Sequence, residues 1–185
     1  MENYHPIEAL GIKLWDRNQN GERWKLFRLG SESHNILRIN NAPQRVNASA
    51  KLISSSIGGD SPETLLDATA LYPNLATRVT RRFILENRSR LIIEDTFEGL
   101  PQNARISWQM LTSATVEKTD NGVILRKDGK ALRGKSSALP QIEVQPVEEL
   151  MQPYEQPMPG FFMLRFIAHI KDGGAFMMRT EFDLL

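Results

Sequence analysis

The chain contains no cysteine. Disulfides, thiolate catalysis and cysteine-ligated metals are therefore excluded. Histidine is scarce as well, with only His5, His34 and His169. Charge of one sign is also missing: 23 Lys and Arg stand against 22 Asp and Glu, for a net charge of +1. That balance leaves no footprint for nucleic acid or for an anionic membrane surface. The basic clusters Arg78/Arg81/Arg82 and Arg126 to Lys135 read as solvated strand faces. No apolar run reaches the length of a membrane span. The opening stretch Met1-Glu2-Asn3-Tyr4-His5-Pro6 has neither a basic n-region nor an apolar h-region, so no signal peptide is read there. Long amphipathic helical patterns, internal repeats and a domain boundary are absent too. There is no glycine-rich phosphate loop, no G-x-S-x-G elbow and no H-E-x-x-H helix.

What is present is β patterning around one hairpin. Residues Arg78 to Glu86 and Arg90 to Phe97 are rich in β-branched and aromatic residues, and Asn87-Arg88-Ser89 separates them. Val79, Phe83 and Leu85 share one parity, as do Leu91, Ile93 and Phe97, so each arm has an apolar side. Their middles are apolar on both parities, which predicts central strands covered on both faces. Further strands are expected at 24–29, 35–40, 50–55, 105–111, 116–119, 123–127, 130–132, 161–171 and 175–184. Residues 64–70 fit helix or strand, with their setting favouring strand. In 105–111, Ile106, Trp108 and Met110 oppose Arg105, Ser107 and Gln109, the pattern of a strand with one wet face. Asp120-Asn121-Gly122 and Asp128-Gly129 are hairpin turn signals. The proline-rich stretch 140–160 begins as an edge strand at 141–145 and continues as a surface loop. Residues 6–15 fit one helical turn stopped by Gly11. Short strands with frequent turns indicate an all-β fold: one antiparallel β-sandwich of two stacked sheets across residues 1–185.

Few residues stand out for chemistry. His34 opens the expected strand 34–40 beside a serine-rich turn. Its imidazole suits either a metal ligand or a hydrogen-bonded surface group. His169 lies in an apolar strand and reads as semi-buried, and His5 as exposed near a free end. Tyr72, beside Pro73-Asn74, reads as a turn residue rather than a base. Trp15, Trp24 and Tyr154 are the aromatics that would stack on sugar rings, although strand parity places Trp24 and Trp108 in the core.

Two stretches carry a resemblance. The first is Trp15…Arg23-Trp24-Lys25-Leu26-Phe27-Arg28…Ser33-His34-Asn35-Ile36-Leu37-Arg38-Ile39-Asn40-Asn41…Gln44. The second is Arg81-Arg82-Phe83-Ile84-Leu85…Arg90-Leu91-Ile92-Ile93-Glu94-Asp95, followed by Ile106-Ser107-Trp108-Gln109-Met110-Leu111-Thr112 and Thr115-Val116. Together they resemble the C-terminal β-sandwich of heparinase II/III-like polysaccharide lyases of Bacteroidetes type. The resemblance implies a super-sandwich-like fold that follows an N-terminal α/α toroid in the parent enzyme. It implies cleavage of uronic-acid glycans by β-elimination in the periplasm or outside the cell, with an acidic polysaccharide as partner and no nucleic acid or membrane. The family's catalytic residues lie on the toroid and on a segment upstream of the matched part. The histidine matching His34 helps to hold a structural zinc with ligands from that same segment. This sequence begins after it, so the expectation is a domain without catalytic residues, with His34 as a partial metal site and little tightly held zinc. The alternative from the residues themselves is a stand-alone carbohydrate-binding sandwich.

Overall fold

A computed structural model describes residues 9–137 and 141–185. Its two sheets are antiparallel throughout. The larger runs in the order β2-β3-β4-β5-β12-β9-β8-β7 and the smaller in the order β1-β6-β11-β10. The strands are β1 Leu37–Ile39, β2 Lys51–Ser56, β3 Glu63–Asp67, β4 Arg78–Glu86, β5 Arg90–Leu100, β6 Ala104–Thr112, β7 Thr115–Thr119, β8 Gly122–Lys127, β9 Lys130–Ser136, β10 Gln141–Pro146, β11 Phe162–Ile170 and β12 Gly174–Leu184. The expected all-β sandwich is what the chain forms.

The hairpin signals act as their chemistry requires. Asp128 and Gly129 both hold positive φ, 49° and 73°, between paired Lys127 and Lys130. That is the backbone a two-residue turn needs to match the twist of its strands. Gly134 meets a different demand: a Cβ there would sit 2.8 Å from the Phe182 ring.

The core lies between the sheets. Val79, Ile93, Phe97, Met178 and Phe182 face Leu37, Ile106, Trp108, Leu164 and Phe166. Trp108 packs 5.7 Å from the Phe166 ring and 5.5 Å from Phe182. Each such side chain removed from water contributes about 1.5–3 kcal/mol before entropy is counted.

Several expectations need correction. The hairpin β4–β5 is central, but among the described residues no second sheet covers the outer face of the large sheet. Glu63, Arg82, Glu94, Arg179, Glu181 and Lys135 form an ionic ladder there across five strands. Ile92 is buried all the same, at 1 % exposure.

The face of β6 expected to be wet is covered. Ser107 and Gln109 are buried beneath the N-terminal segment and the loop 147–161. Phe27, Val147 and Met163 form a second small core there. Glu155 fastens the cover by accepting from the backbone N–H of Phe27 at 3.0 Å and of Gln152 at 2.9 Å. Pattern within β6 alone does not reveal a cover built from residues so distant in sequence.

Residues 24–29 are not a strand. The 3-10 turn Glu22–Lys25 runs into this segment, and a second spans Ser31–Ser33 beyond it. Residues 64–70 divide into β3 and the 3-10 turn Thr69–Leu71. The helical turn expected at 6–15 falls partly outside the described residues; from Ile12 the chain makes successive turns, with Leu14 N–H donating to the Ile12 carbonyl at 2.9 Å.

Candidate functional site

The N-terminal cover places an aromatic and cationic hollow over one end of the small sheet. Trp24, in the first 3-10 turn, is half-buried rather than core. Its indole Nε1 donates to the Asn18 carbonyl at 2.8 Å. The Arg23 guanidinium lies 5.4 Å from the Trp24 ring and 5.9 Å from the Trp15 ring. Arg23 also donates to the Leu14 carbonyl at 3.0 Å. Cation–π contact thus links the three side chains. Trp15 itself is 69 % exposed.

The opposite wall is the loop after β1. Gln19 holds it at two points, donating to the Gln44 carbonyl at 3.3 Å and accepting from Val46 N–H at 2.7 Å. Ser31 Oγ accepts from Gln44 N–H at 3.1 Å. Between these walls lies a hollow of about 330 Å3, with Trp24, His34, Gln44, Arg45 and Asn47 among its lining residues and no carboxylate. The Arg45 guanidinium and the His34 imidazole have no hydrogen bond or ion pair among the described residues. Both are exposed.

His34 does not open a strand, since β1 begins at Leu37. It follows the second 3-10 turn and is held through its backbone. Gln109 Nε2 donates to the carbonyls of Ser31, Glu32 and His34 at 3.0, 3.0 and 2.9 Å. The side chain is thereby left to face the hollow.

No group of three or more His, Cys, Asp or Glu that would hold a metal exists among the described residues. A stable zinc site uses about three or four protein ligands. His34 alone does not fit that requirement, and the described residues supply no partners for it.

The other candidates lie elsewhere. Tyr72 is buried. Its hydroxyl donates to the Leu37 carbonyl at 2.9 Å and accepts from Gln44 Nε2 at 2.8 Å. Burial pushes its pKa up to about 12 despite the Gln44 bond. Such a phenol is a poor base near neutral pH. His169 is exposed near the end of β11 rather than semi-buried. His5 lies outside the described residues. Tyr154 is 38 % exposed on the covering loop. Sequence reasoning missed Gln19, Arg45 and Gln109; nothing local marks them, because Gln19 and Gln109 act through partners distant in sequence and Arg45 meets the other lining residues only in the folded chain.

The family model described as heparinase II/III-like, C-terminal matches residues 11–148. The chain belongs to that family. The hollow lies wholly inside the matched region. Solved structures agree on the fold. A heparan sulfate lyase HepC from Pedobacter heparinus is 14 % identical, with a TM-score of 0.63 over 85 % of this chain and 25 % of its own. A heparinase III is 13 % identical, with a TM-score of 0.61 over 89 % of this chain and 25 % of its own. A heparinase III, the BT4657 gene product, is 11 % identical, with a TM-score of 0.65 over the same shares. The heparinase II/III-like chain thus spans about a quarter of the length of these structures. No curated protein matches it.

Proposed function

We propose that this chain serves as the C-terminal sandwich of a polysaccharide lyase, without catalytic residues of its own, and forms one wall of the cleft for an acidic glycan. The observation that carries the reading is the hollow: the Trp24 ring, the Arg45 guanidinium without a partner among the described residues, and no carboxylate in the lining. Uronic-acid elimination removes the proton beside a carboxylate and builds further negative charge on the same group. A wall that presents Arg45 answers that charge, and Trp24 answers the apolar face of a sugar ring. The solved relatives are a heparan sulfate lyase and heparinases by name, so a glycosaminoglycan is the first glycan to test. Such a substrate places the parent enzyme in the periplasm or outside the cell. His34 would give one imidazole to a structural zinc whose other ligands, like the base and acid of the reaction, come from the upstream part of the parent enzyme.

Two measurements test the reading. The chain alone should release no unsaturated uronate, followed by ultraviolet absorbance; sustained turnover would place the chemistry here and overturn the proposal. Calorimetry should show weak binding of uronate oligosaccharides and none of neutral ones. Trp24→Ala or Arg45→Gln should each weaken that binding about tenfold, the loss of one stacking or charge-assisted contact. Trp15 favours a second reading, a stand-alone binding module, because it is exposed beside Arg23 and Trp24. Tight glycan binding by the chain alone, lost in Trp15→Ala, would select that reading.

A further inference from the structure

Loop 43–47 carries Arg45. It forms no regular element, yet its backbone is bonded to three other parts of the chain. Gln44 N–H donates to Ser31 Oγ at 3.1 Å, and Val46 N–H to Gln19 Oε1 at 2.7 Å. Between them, Arg45 N–H donates to the Leu71 carbonyl at 2.9 Å. The Gln44 side chain adds another tie, donating from Nε2 to the Tyr72 hydroxyl at 2.8 Å. The last two ties end on adjacent residues, Leu71 and Tyr72, where the 3-10 turn Thr69–Leu71 closes.

These ties differ in what anchors them. The Val46–Gln19 bond is exposed, so water competes with it. Tyr72 is 2 % exposed, and its ring belongs to the main core. Its hydroxyl also donates to the Leu37 carbonyl at 2.9 Å, in a buried bond. Leu37 is the first residue of β1, and the chain enters that strand from His34. One hydroxyl therefore joins the loop that bears Arg45 to the strand entry that bears His34. Deleting it leaves two partners short of a bond at a place where water does not readily substitute.

We propose that Tyr72 is a positioning residue for the hollow: its hydroxyl, acting through Gln44, fixes loop 43–47 so that Arg45 is presented beside His34 and Trp24. This role rests on the reading of the hollow as a wall for an acidic glycan. What Tyr72 supplies is preorganisation. An arginine whose backbone is already placed loses less freedom when an anion arrives.

Two variants of the whole chain test this. Tyr72→Phe keeps the buried ring and deletes the hydroxyl. Gln44→Leu cuts the same bond from the half-buried loop side and spares the core, so it carries the test should Tyr72→Phe not fold. Each should weaken the binding of uronate oligosaccharides about fivefold, the worth of one hydrogen bond. Their combination should bind no more weakly than either alone, since both remove one link. A tyrosine with a merely structural role would lower the melting temperature, leave affinity below the melt unchanged and add to Gln44→Leu. Amide hydrogen exchange gives a readout that needs no ligand. The N–H groups of Arg45 and Val46 should exchange about tenfold faster in both variants, while those of β6 keep their rates in Gln44→Leu. If the wild-type chain binds no uronate, the glycan reading fails and exchange alone decides the role of Tyr72. Full binding by Tyr72→Phe, additive losses in the double variant, or unchanged exchange at Arg45 and Val46 overturns the proposal.

Discussion

Asp95 is fully buried in β5, on the side of the sheet that faces the core. Arg81, directly opposite in β4, grips it with two bonds, Nε at 2.6 Å and Nη2 at 3.1 Å. The same guanidinium lies 5.8 Å from the Phe83 ring. Burial pushes the Asp95 carboxyl up from its ordinary value, and the Arg81 charge pulls it back. Arg81 has no neutral form to retreat to, so removing the carboxylate strands a charge in the core. Asp95→Asn should therefore cost about 3–5 kcal/mol, seen as a fall in melting temperature of about 2–4 °C for each kcal/mol. The double change Arg81→Met with Asp95→Leu should recover most of that loss, because apolar replacement of a whole buried pair is often neutral. An Asn variant that melts with the wild type would show that the pair does not hold these strands.

On the scale of elements, the outer face of the large sheet is held by charge instead of cover. Arg179 in β12 reaches Glu94 in β5 and Glu181 in its own strand, each at 2.7 Å. Lys135 in β9 reaches Glu181 at 3.0 Å. Partial burial by itself would push the Glu181 carboxyl up, but its bonds to Arg179 and Lys135 outweigh that and hold it below the usual range. An acid whose folded pKa is lowered adds stability above its unfolded value, near about 4.3, and loses it as pH falls through the folded value. Glu181→Gln should thus be less stable than wild type near neutral pH, with the gap closing on acidification below about pH 4. Chemical denaturation at several pH values measures it; a gap that persists in acid would mean that the ladder does not act through charge.

Strands with their own alternation and turn signals, such as β4, β5 and β7 to β9, were legible in the sequence because those features are local. Trp24 to Leu29 was not, since aromatic and apolar letters suit a strand and equally suit a cover whose Leu26 and Phe27 are buried. Gln109 shows the same limit from the other side. Its strand position was readable, but its role in fixing the carbonyls beside His34 depends on residues about 75 positions away. Of the candidate site, His34 and Trp24 were legible as residue types, while the hollow that joins them to Arg45 exists only through tertiary bonds.

For the molecule as a whole, the last strand decides whether there is one domain. β12 pairs with β5 on one side and β9 on the other, so it alone joins the β2–β5 half of the large sheet to the β7–β9 half. It also brings Met178 and Phe182 to the core. The pairing of Leu91 with Phe182 closes about ninety residues of chain, a non-local contact that makes folding slow, in the millisecond-to-second range typical of sandwiches. Deleting residues 174–185 should therefore do more than shorten an edge. It should abolish the single cooperative melt and the near-ultraviolet circular dichroism of Trp108, whose ring packs on Phe182. If the shortened chain still melts in one sharp transition, the two halves of the sheet must be held together by the small sheet instead of by β12.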